Sequence, residues 1–332
     1  MRGIKIIGTG TYIPETVASN EWLSTIMDTN DEWIYSRTGI RERRISKDKP
    51  NFYMAAEASK KAIEASGLKP EDIDLILASS CSPDFYYPCL ACLVQREVGA
   101  VNAAAYDVNA ACTGFIMALD AASRYLQDGD YKNILVVASE RLAPHCDYTD
   151  RTASILFGDG AGAAVVTASD KPMYSYISAK GDYFKALYCQ CDHTDANCPL
   201  LEEDSVLSGL LDTDAKRRYL QMNGKEVYKF AVDAMGTAVD KVLEKAGMTI
   251  DDIDLVIPHQ ANLRIIQSAV KAMGITLDKV YVNLEKHGNT SSACIPTCLD
   301  ELVRDGVIKE GMKICLVGFG AGLTSGAIIF EQ

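Results

Sequence analysis

Three short stretches of the chain carry residue types able to do acyl chemistry. The first is YDVNAACTGF, residues 106 to 115, where an apolar, strand-like run of small residues turns into a helix at Cys112. From Thr113 through Phe115, Ile116, Leu119 and Ala122 the pattern has helical spacing, so Cys112 begins a helix. Free N–H groups and the positive end of the helix dipole favour the thiolate, the nucleophilic form of cysteine. Taken alone, the same cysteine reads more readily as a small buried hydrophobe. The second stretch, IPHQANLRII, residues 257 to 266, sets His259 just past a strand end. The third, HGNTSSACIP, residues 287 to 296, sets Asn289 at a helix start. A histidine after a strand is often a satisfied structural residue, and an asparagine at a helix start often only caps it. Near the C-terminus GFGAG, residues 318 to 322, ends another strand.

The elements that must position these residues come from a repeat inside the chain. AAEASKKAIEASGLKPEDIDLILASS, ending at Ser80, is matched by AVDKVLEKAGMTIDDIDLVIPHQ, ending at Gln260, with Gly67 against Gly247 and Asp74 against Asp254. Each half continues alike, through a helix (88 to 99; 262 to 273), a short strand, and a helix opened by small residues, at Cys112 in one half and near Gly288 in the other. Each half closes with a strand and a glycine-rich strand pair, residues 133 to 166 and 313 to 330. A period of roughly 180 residues is far longer than a solenoid repeat, so the reading is two βαβ-type halves packed face to face. Runs such as LILASS and ILVVAS are apolar on both faces, which points to mostly parallel sheets covered by helices. A site is expected between the halves, where helix N-termini converge. We divide the chain at 1–170 and 171–332, with an insertion at about 182–218.

Composition excludes several classes. With 332 residues and 48% hydrophobic content the chain buries a sizeable core. A net charge of −12 argues against a nonspecific nucleic-acid surface and requires a local basic patch for any acidic partner. Eleven cysteines, an odd and scattered count, behind a start that lacks a signal-peptide core, point to a reducing cytoplasm. No run reaches the length of a membrane span. Gly8 and Gly10 form a lone G-x-G, read as a turn with no cofactor role. The loop NDEWIYSRTGIRERRI, residues 30 to 45, mixes Trp33 and Tyr35 with four arginines. It reads either as a solvated charged loop or as a place where arginine and an aromatic ring hold a phosphate and a base.

Taken together, the stretches around Cys112, His259, Asn289 and GFGAG resemble the β-ketoacyl-acyl-carrier-protein synthase III family of thiolase-fold condensing enzymes, over nearly the whole chain and in the family's order. The resemblance implies an α/β, thiolase-like five-layered αβαβα fold built by internal duplication of two mixed-sheet halves, and an acyltransferase that loads an acyl-coenzyme A primer and condenses it with malonyl-acyl-carrier protein. It implies a catalytic set of Cys112, His259 and Asn289, with backbone N–H groups of Cys112 and Ala321 as an oxyanion hole. Ala321 stands where the family's glycine-rich loop usually has a third glycine. His287 is read as structural, and His145 and His193 have no comparable context. The same resemblance assigns Trp33, Arg37, Arg151 and Asn262 to coenzyme A, and Lys229, Arg264 and Lys271 to the carrier protein.

An acyl pocket of Leu142, Leu156, Phe157 and Met222 is implied, with Tyr87 at the position through which one subunit closes the pocket of the other, hence a homodimer. Tyr87 replaces a phenylalanine familiar from acetyl-specific members, and Ser325 stands where many members have tryptophan. No resident cofactor and no metal are implied, acyl-coenzyme A being a substrate. The insertion carries Cys189, Cys191, His193 and Cys198, but C-x-C-x-H is not a standard zinc spacing. Two other readings stay open: a secondary-metabolism relative with another acceptor, and a noncatalytic carrier-protein partner, against which the intact Cys112, His259 and Asn289 argue.

Overall fold

Apolar side chains on the central strands alternate between two buried faces, so each strand needs cover on both sides. In Leu75–Ser79, Leu75 and Leu77 pack on one side, Ile76 and Ala78 on the other. In Lys313–Gly320, Ile314 and Leu316 face one way, Cys315 and Val317 the opposite way. Three cores result. One lies under helices Asn51–Ser66 and Leu90–Val98, one around Gly114–Tyr125 and Cys294–Arg304, and one under Gly224–Ala246 and Leu263–Met273. The central core is shared by strands of both sheets, which makes the order helix, sheet, helix, sheet, helix: the five-layered αβαβα arrangement of a thiolase-like fold. These statements come from a computed structural model that describes residues 3–190 and 219–332.

The first sheet runs in the order Gly3–Tyr12, Gly160–Ser169, Asn133–Glu140, Leu75–Ser79, Ala104–Asp107. The second runs Leu255–Pro258, Lys313–Gly320, Thr324–Glu331, Tyr174–Ala179. Both sheets are mixed, as the family resemblance implies and unlike the mostly parallel sheets that the apolar runs alone suggest. Leu75–Ser79 pairs in parallel with both of its neighbours, but the glycine-rich strands pair antiparallel. Lys313–Gly320 and Thr324–Glu331 are joined only by Ala321–Leu323, and a link that short cannot return a strand in parallel.

The duplication extends to single hydrogen bonds. Asp74 accepts from the backbone of Asn133, and Asp254, 180 positions later, from that of Lys313. Asp120 binds Ser175 and Arg124, while its counterpart Asp300 binds Thr9, Thr11 and Arg304. Among the described residues the second sheet has four strands, and the place of a fifth is taken by a parallel bridge between Val256 and Val280. No described helix is long and apolar enough to cross a membrane, and the described cysteines other than Cys189 are free thiols.

Candidate active site

Cys112 sits in a single helical turn, Ala111–Thr113, that leads from the strand Ala104–Asp107 into the helix Gly114–Tyr125. The chain reaches it through Ala111, held at φ 45°, a left-handed conformation that costs a non-glycine residue about 1 kcal/mol or more. The helix then starts hard against the end of Leu75–Ser79. A Cβ on Gly114 would lie 1.8 Å from Ser79 Oγ, so only glycine lets the cysteine come this close to the sheet. From the other half Gly320 closes in, where a Cβ would lie 2.8 Å from the Cys112 backbone nitrogen.

The thiol is only 7% exposed, and this changes the expected electrostatics. Burial pushes the Cys112 pKa up to about 12, with a bond from Ser291 and the local backbone acting in the opposite direction. Withdrawal from water therefore works against the preference of the helix end for the thiolate.

His259 follows the strand Leu255–Pro258, its N–H bound to Val317 O at 2.8 Å. The ring lies edge-on to Phe319, with 5.6 Å between centroids, and Nδ1 has no partner. Complete burial without a countercharge lowers its pKa to about 3, so the imidazole is neutral, with one N–H donor and one bare nitrogen.

Asn289 stands two residues before the turn Ser291–Ala293, not at the helix start itself, and its backbone pairs with the Leu156–Gly158 segment. The Ser291 N–H donates to its Oδ1 at 2.8 Å, which leaves the Nδ2 end for the cavity that Asn289 lines.

Cys112, His259 and Asn289, separated by up to 177 residues, line one cavity of about 120 Å³. Leu156, Phe157 and Met222 line it as well. The sequence reading did not single out Leu187, Val227 and Phe319, which complete the apolar wall. Phe319 lies inside the GFGAG stretch and was within reach of that reading; Leu187 and Val227 carry no local signal. Leu142 is buried in the neighbouring core but does not line the cavity, and Tyr87 is 87% exposed at a loop tip. Ala321 packs against the same core, next to the Gly320 contact.

Residues 30 to 45, expected as a loop, instead form the helix Asp31–Thr38, capped by Asn30 and Gly39, and the strand Glu42–Ile45, and their aromatic and arginine side chains take two roles. Trp33 has the Arg37 guanidinium 4.3 Å from its ring centre and that of Arg151 4.5 Å from it. Asn262 caps the helix Leu263–Met273 and donates to Arg37 O, while Arg264 donates to Ser36 O, which ties this helix to the helix Asp31–Thr38 that carries Trp33. Lys229, Arg264 and Lys271 are exposed. Arg43, by contrast, is 1% exposed and donates to Ala18 O, Asn20 Oδ1 and Ile155 O, bracing the segment that carries Leu156 and Phe157. Of the insertion's four candidate ligands, Cys189 lies 3.8 Å from His145 Nδ1, and Cys191, His193 and Cys198 fall outside the described residues. Among the described residues no cluster of three metal-ligating side chains occurs.

Comparison with known proteins agrees with this geometry. The profile for 3-oxoacyl-(acyl-carrier-protein) synthase III matches residues 106–181, and the profile for the C-terminal part of the same family matches residues 243–332. A β-ketoacyl-(acyl-carrier-protein) synthase III of Clostridium acetobutylicum is 46% identical over 331 residues, covering 100% of this chain and 99% of the relative. The crystal structure of 3-oxoacyl-(acyl-carrier-protein) synthase III from Aquifex aeolicus superposes with a TM-score of 0.89 at 41% identity, over 99% of this chain and 100% of that one. A priming β-ketosynthase from the R1128 polyketide pathway gives 0.87 at 37% identity, over 99% and 96%. With the cysteine, histidine and asparagine on one cavity between two duplicated halves, the chain belongs to the β-ketoacyl-acyl-carrier-protein synthase III family of thiolase-fold condensing acyltransferases.

Proposed function

We propose that the protein starts fatty-acid synthesis by a two-step exchange on Cys112. In the first step the Cys112 sulfur attacks the carbonyl of an acyl-coenzyme A. The carbon–sulfur bond to coenzyme A breaks, and the Cys112 proton ends on the departing thiol. Backbone N–H groups of Cys112 and Ala321 hold the oxyanion formed on the way. In the second step malonyl-acyl-carrier protein loses carbon dioxide. His259 and Asn289 donate to its thioester oxygen and so stabilise the enolate, which attacks the acyl carbonyl; the carbon–sulfur bond to Cys112 breaks, a β-ketoacyl-carrier protein leaves, and the Cys112 thiolate takes a proton from water. The observation that carries this reading is the shared cavity, where a buried thiol, a neutral imidazole and an oriented carboxamide meet inside an apolar wall. A dry cavity protects the acyl-enzyme from hydrolysis and strengthens each donor.

Trp33, Arg37, Arg151 and Asn262 serve the incoming coenzyme A, its adenine replacing one guanidinium on the Trp33 ring. Leu156, Phe157 and Met222, with Leu142 behind them, set the size of the primer. Exposed Lys229, Arg264 and Lys271 meet the acidic carrier protein, which a chain of net charge −12 needs local cations to attract. A homodimer is supported by the exposed aromatic tip Phe85, Tyr86 and Tyr87, and by the strand Ala104–Asp107, which has a neighbour on one side only among the described residues. The 37% identity with a polyketide priming synthase supports a second reading, in which the same chemistry primes a secondary-metabolite carrier protein.

The test is intact-mass measurement after mixing the protein with acetyl-, isobutyryl- and longer acyl-coenzyme A, followed by malonyl-acyl-carrier protein. One acyl group on the wild type, none on Cys112→Ser, and release of a β-ketoacyl-carrier protein are expected. Full acylation of the Cys112→Ser variant would remove the reading.

A further inference from the structure

The duplication pairs Cys112 with Ser292 and Gly320 with Glu140, each 180 positions apart. Each of the first two follows a non-glycine residue at positive φ, Ala111 at 45° and Ser291 at 50°, so the strained entry to the nucleophile is reproduced in the second half. What faces the two turns differs. Opposite Cys112 the strand end is Gly320, which leaves room for the sulfur and its substrate. Opposite Ser292 the equivalent strand end is Glu140, 0% exposed, whose carboxyl group fills the space. Its Oε1 accepts from Ser292 Oγ at 2.7 Å. Its Oε2 accepts from Ser82 Oγ at 2.6 Å, the Cys81 N–H at 3.1 Å, Ser80 Oγ at 3.3 Å and Cys81 Sγ at 3.4 Å. A buried acceptor so surrounded by donors is expensive to disturb, since its loss leaves several buried donors unpaired at once.

We infer that Glu140 is a positioning residue for the decarboxylation step, holding the Ser291–Ala293 turn of the second half, and through it Asn289, in place opposite Cys112. The inference rests on the function proposed above. Glu140 spans the two halves: it belongs to the first sheet, and its partner Ser292 belongs to the turn that follows Asn289. Ser291, the neighbour of Ser292, donates its N–H to Asn289 Oδ1 and thereby aims the carboxamide. Cys112 has backbone anchors of its own, the close approach of Gly114 to Ser79 and the hydroxyl pair Thr113 and Thr324 at 2.8 Å, besides the bond its thiol shares with Ser291. Loss of the Glu140 acceptor should therefore disturb the group that works on malonyl-carrier protein more than the group that takes the primer.

Glu140→Gln keeps the shape and replaces one acceptor oxygen by a donor. In full-length protein, the rate of Cys112 acylation by acetyl- or isobutyryl-coenzyme A is expected to stay within about threefold, while carbon dioxide release from malonyl-acyl-carrier protein falls by about tenfold or more. The loss should appear in kcat, with KM for malonyl-carrier protein nearly unchanged. Equal losses in both steps would mark Glu140 as a general brace and overturn the inference, as would no loss in either. If Glu140→Gln does not fold, Ser292→Ala carries the test: decarboxylation alone should fall, by about threefold, and an unchanged rate overturns the inference. Wild-type protein that acylates but does not decarboxylate overturns the proposed function instead, and the inference with it.

Discussion

The role proposed for His259 depends on its being kept from water. An imidazole whose pKa is lowered to about 3 by burial stays a neutral hydrogen-bond donor throughout the physiological range. The same burial links stability to pH. The unfolded chain takes up a proton on this histidine below about pH 6.5, and the folded protein does not, so the folded state is penalised progressively as pH falls from there toward 3. The stability that neutral His259 contributes is therefore complete above that range and lost below it, with a slope of at most about 1.4 kcal/mol per pH unit. Urea unfolding of wild type and His259→Ala between about pH 5 and 7.5 measures the difference directly. Wild type should lose stability faster on acidification, and parallel curves would show that the histidine is not buried neutral. The same variant should still acylate Cys112 but not decarboxylate malonyl-carrier protein. Cys112 shows where reading at this scale stops. Its place at a helix start was legible in the small residues around it, but the state of its thiol was not, because burial is imposed by Gly320 and Phe319 from the far half.

At the scale of elements, the approach of the Cys112 helix to the first sheet depends on one missing methyl group. Gly114→Ala would set a carbon 1.8 Å from Ser79 Oγ, so the helix or the strand must move, at a cost of about 1–3 kcal/mol. Ser79 Oγ is buried and unpaired, so its removal forfeits no hydrogen bond. Gly114→Ala alone should lower the urea midpoint and slow acylation, and Gly114→Ala with Ser79→Gly should regain part of both. Additive losses in the double variant would rule out this contact as the cause. The repeat made most elements legible, since helix periods and buried strand runs are local. The mixed strand directions were less so. They follow from the short Ala321–Leu323 connection, a feature of length rather than residue type. The second-half counterpart of Cys112 was expected near Gly288, and the positive φ of Ser291 moves it to Ser292.

For the whole molecule, the open edge at Ala104–Asp107 and the exposed Phe85, Tyr86 and Tyr87 lead to a definite expectation about assembly. Ala104 donates to Asp74 O and Val108 to Ala78 O, so the Ala105 N–H points away from the sheet. Ala105→Pro removes that outward donor and spares the inner ladder. Light scattering at micromolar concentration should find the wild type at about twice 36.1 kDa and Ala105→Pro shifted toward a single chain. A wild type at 36.1 kDa would end the dimer proposal.

The sequence by itself determined the duplication and, through the resemblance of its motifs to a family, the αβαβα layering and the choice of Cys112, His259 and Asn289 as candidates, because periodicity, spacing and motif are properties of neighbours along the chain. Only the tertiary structure decided what surrounds them. The raised thiol, the neutral imidazole, the absence of Leu142 from the cavity wall and the Glu140 acceptor opposite Ser292 all arise where segments more than 100 residues apart exclude water together. Solvent exclusion has no signature in any one segment, so the charge states and the packing around Cys112 had to come from the fold.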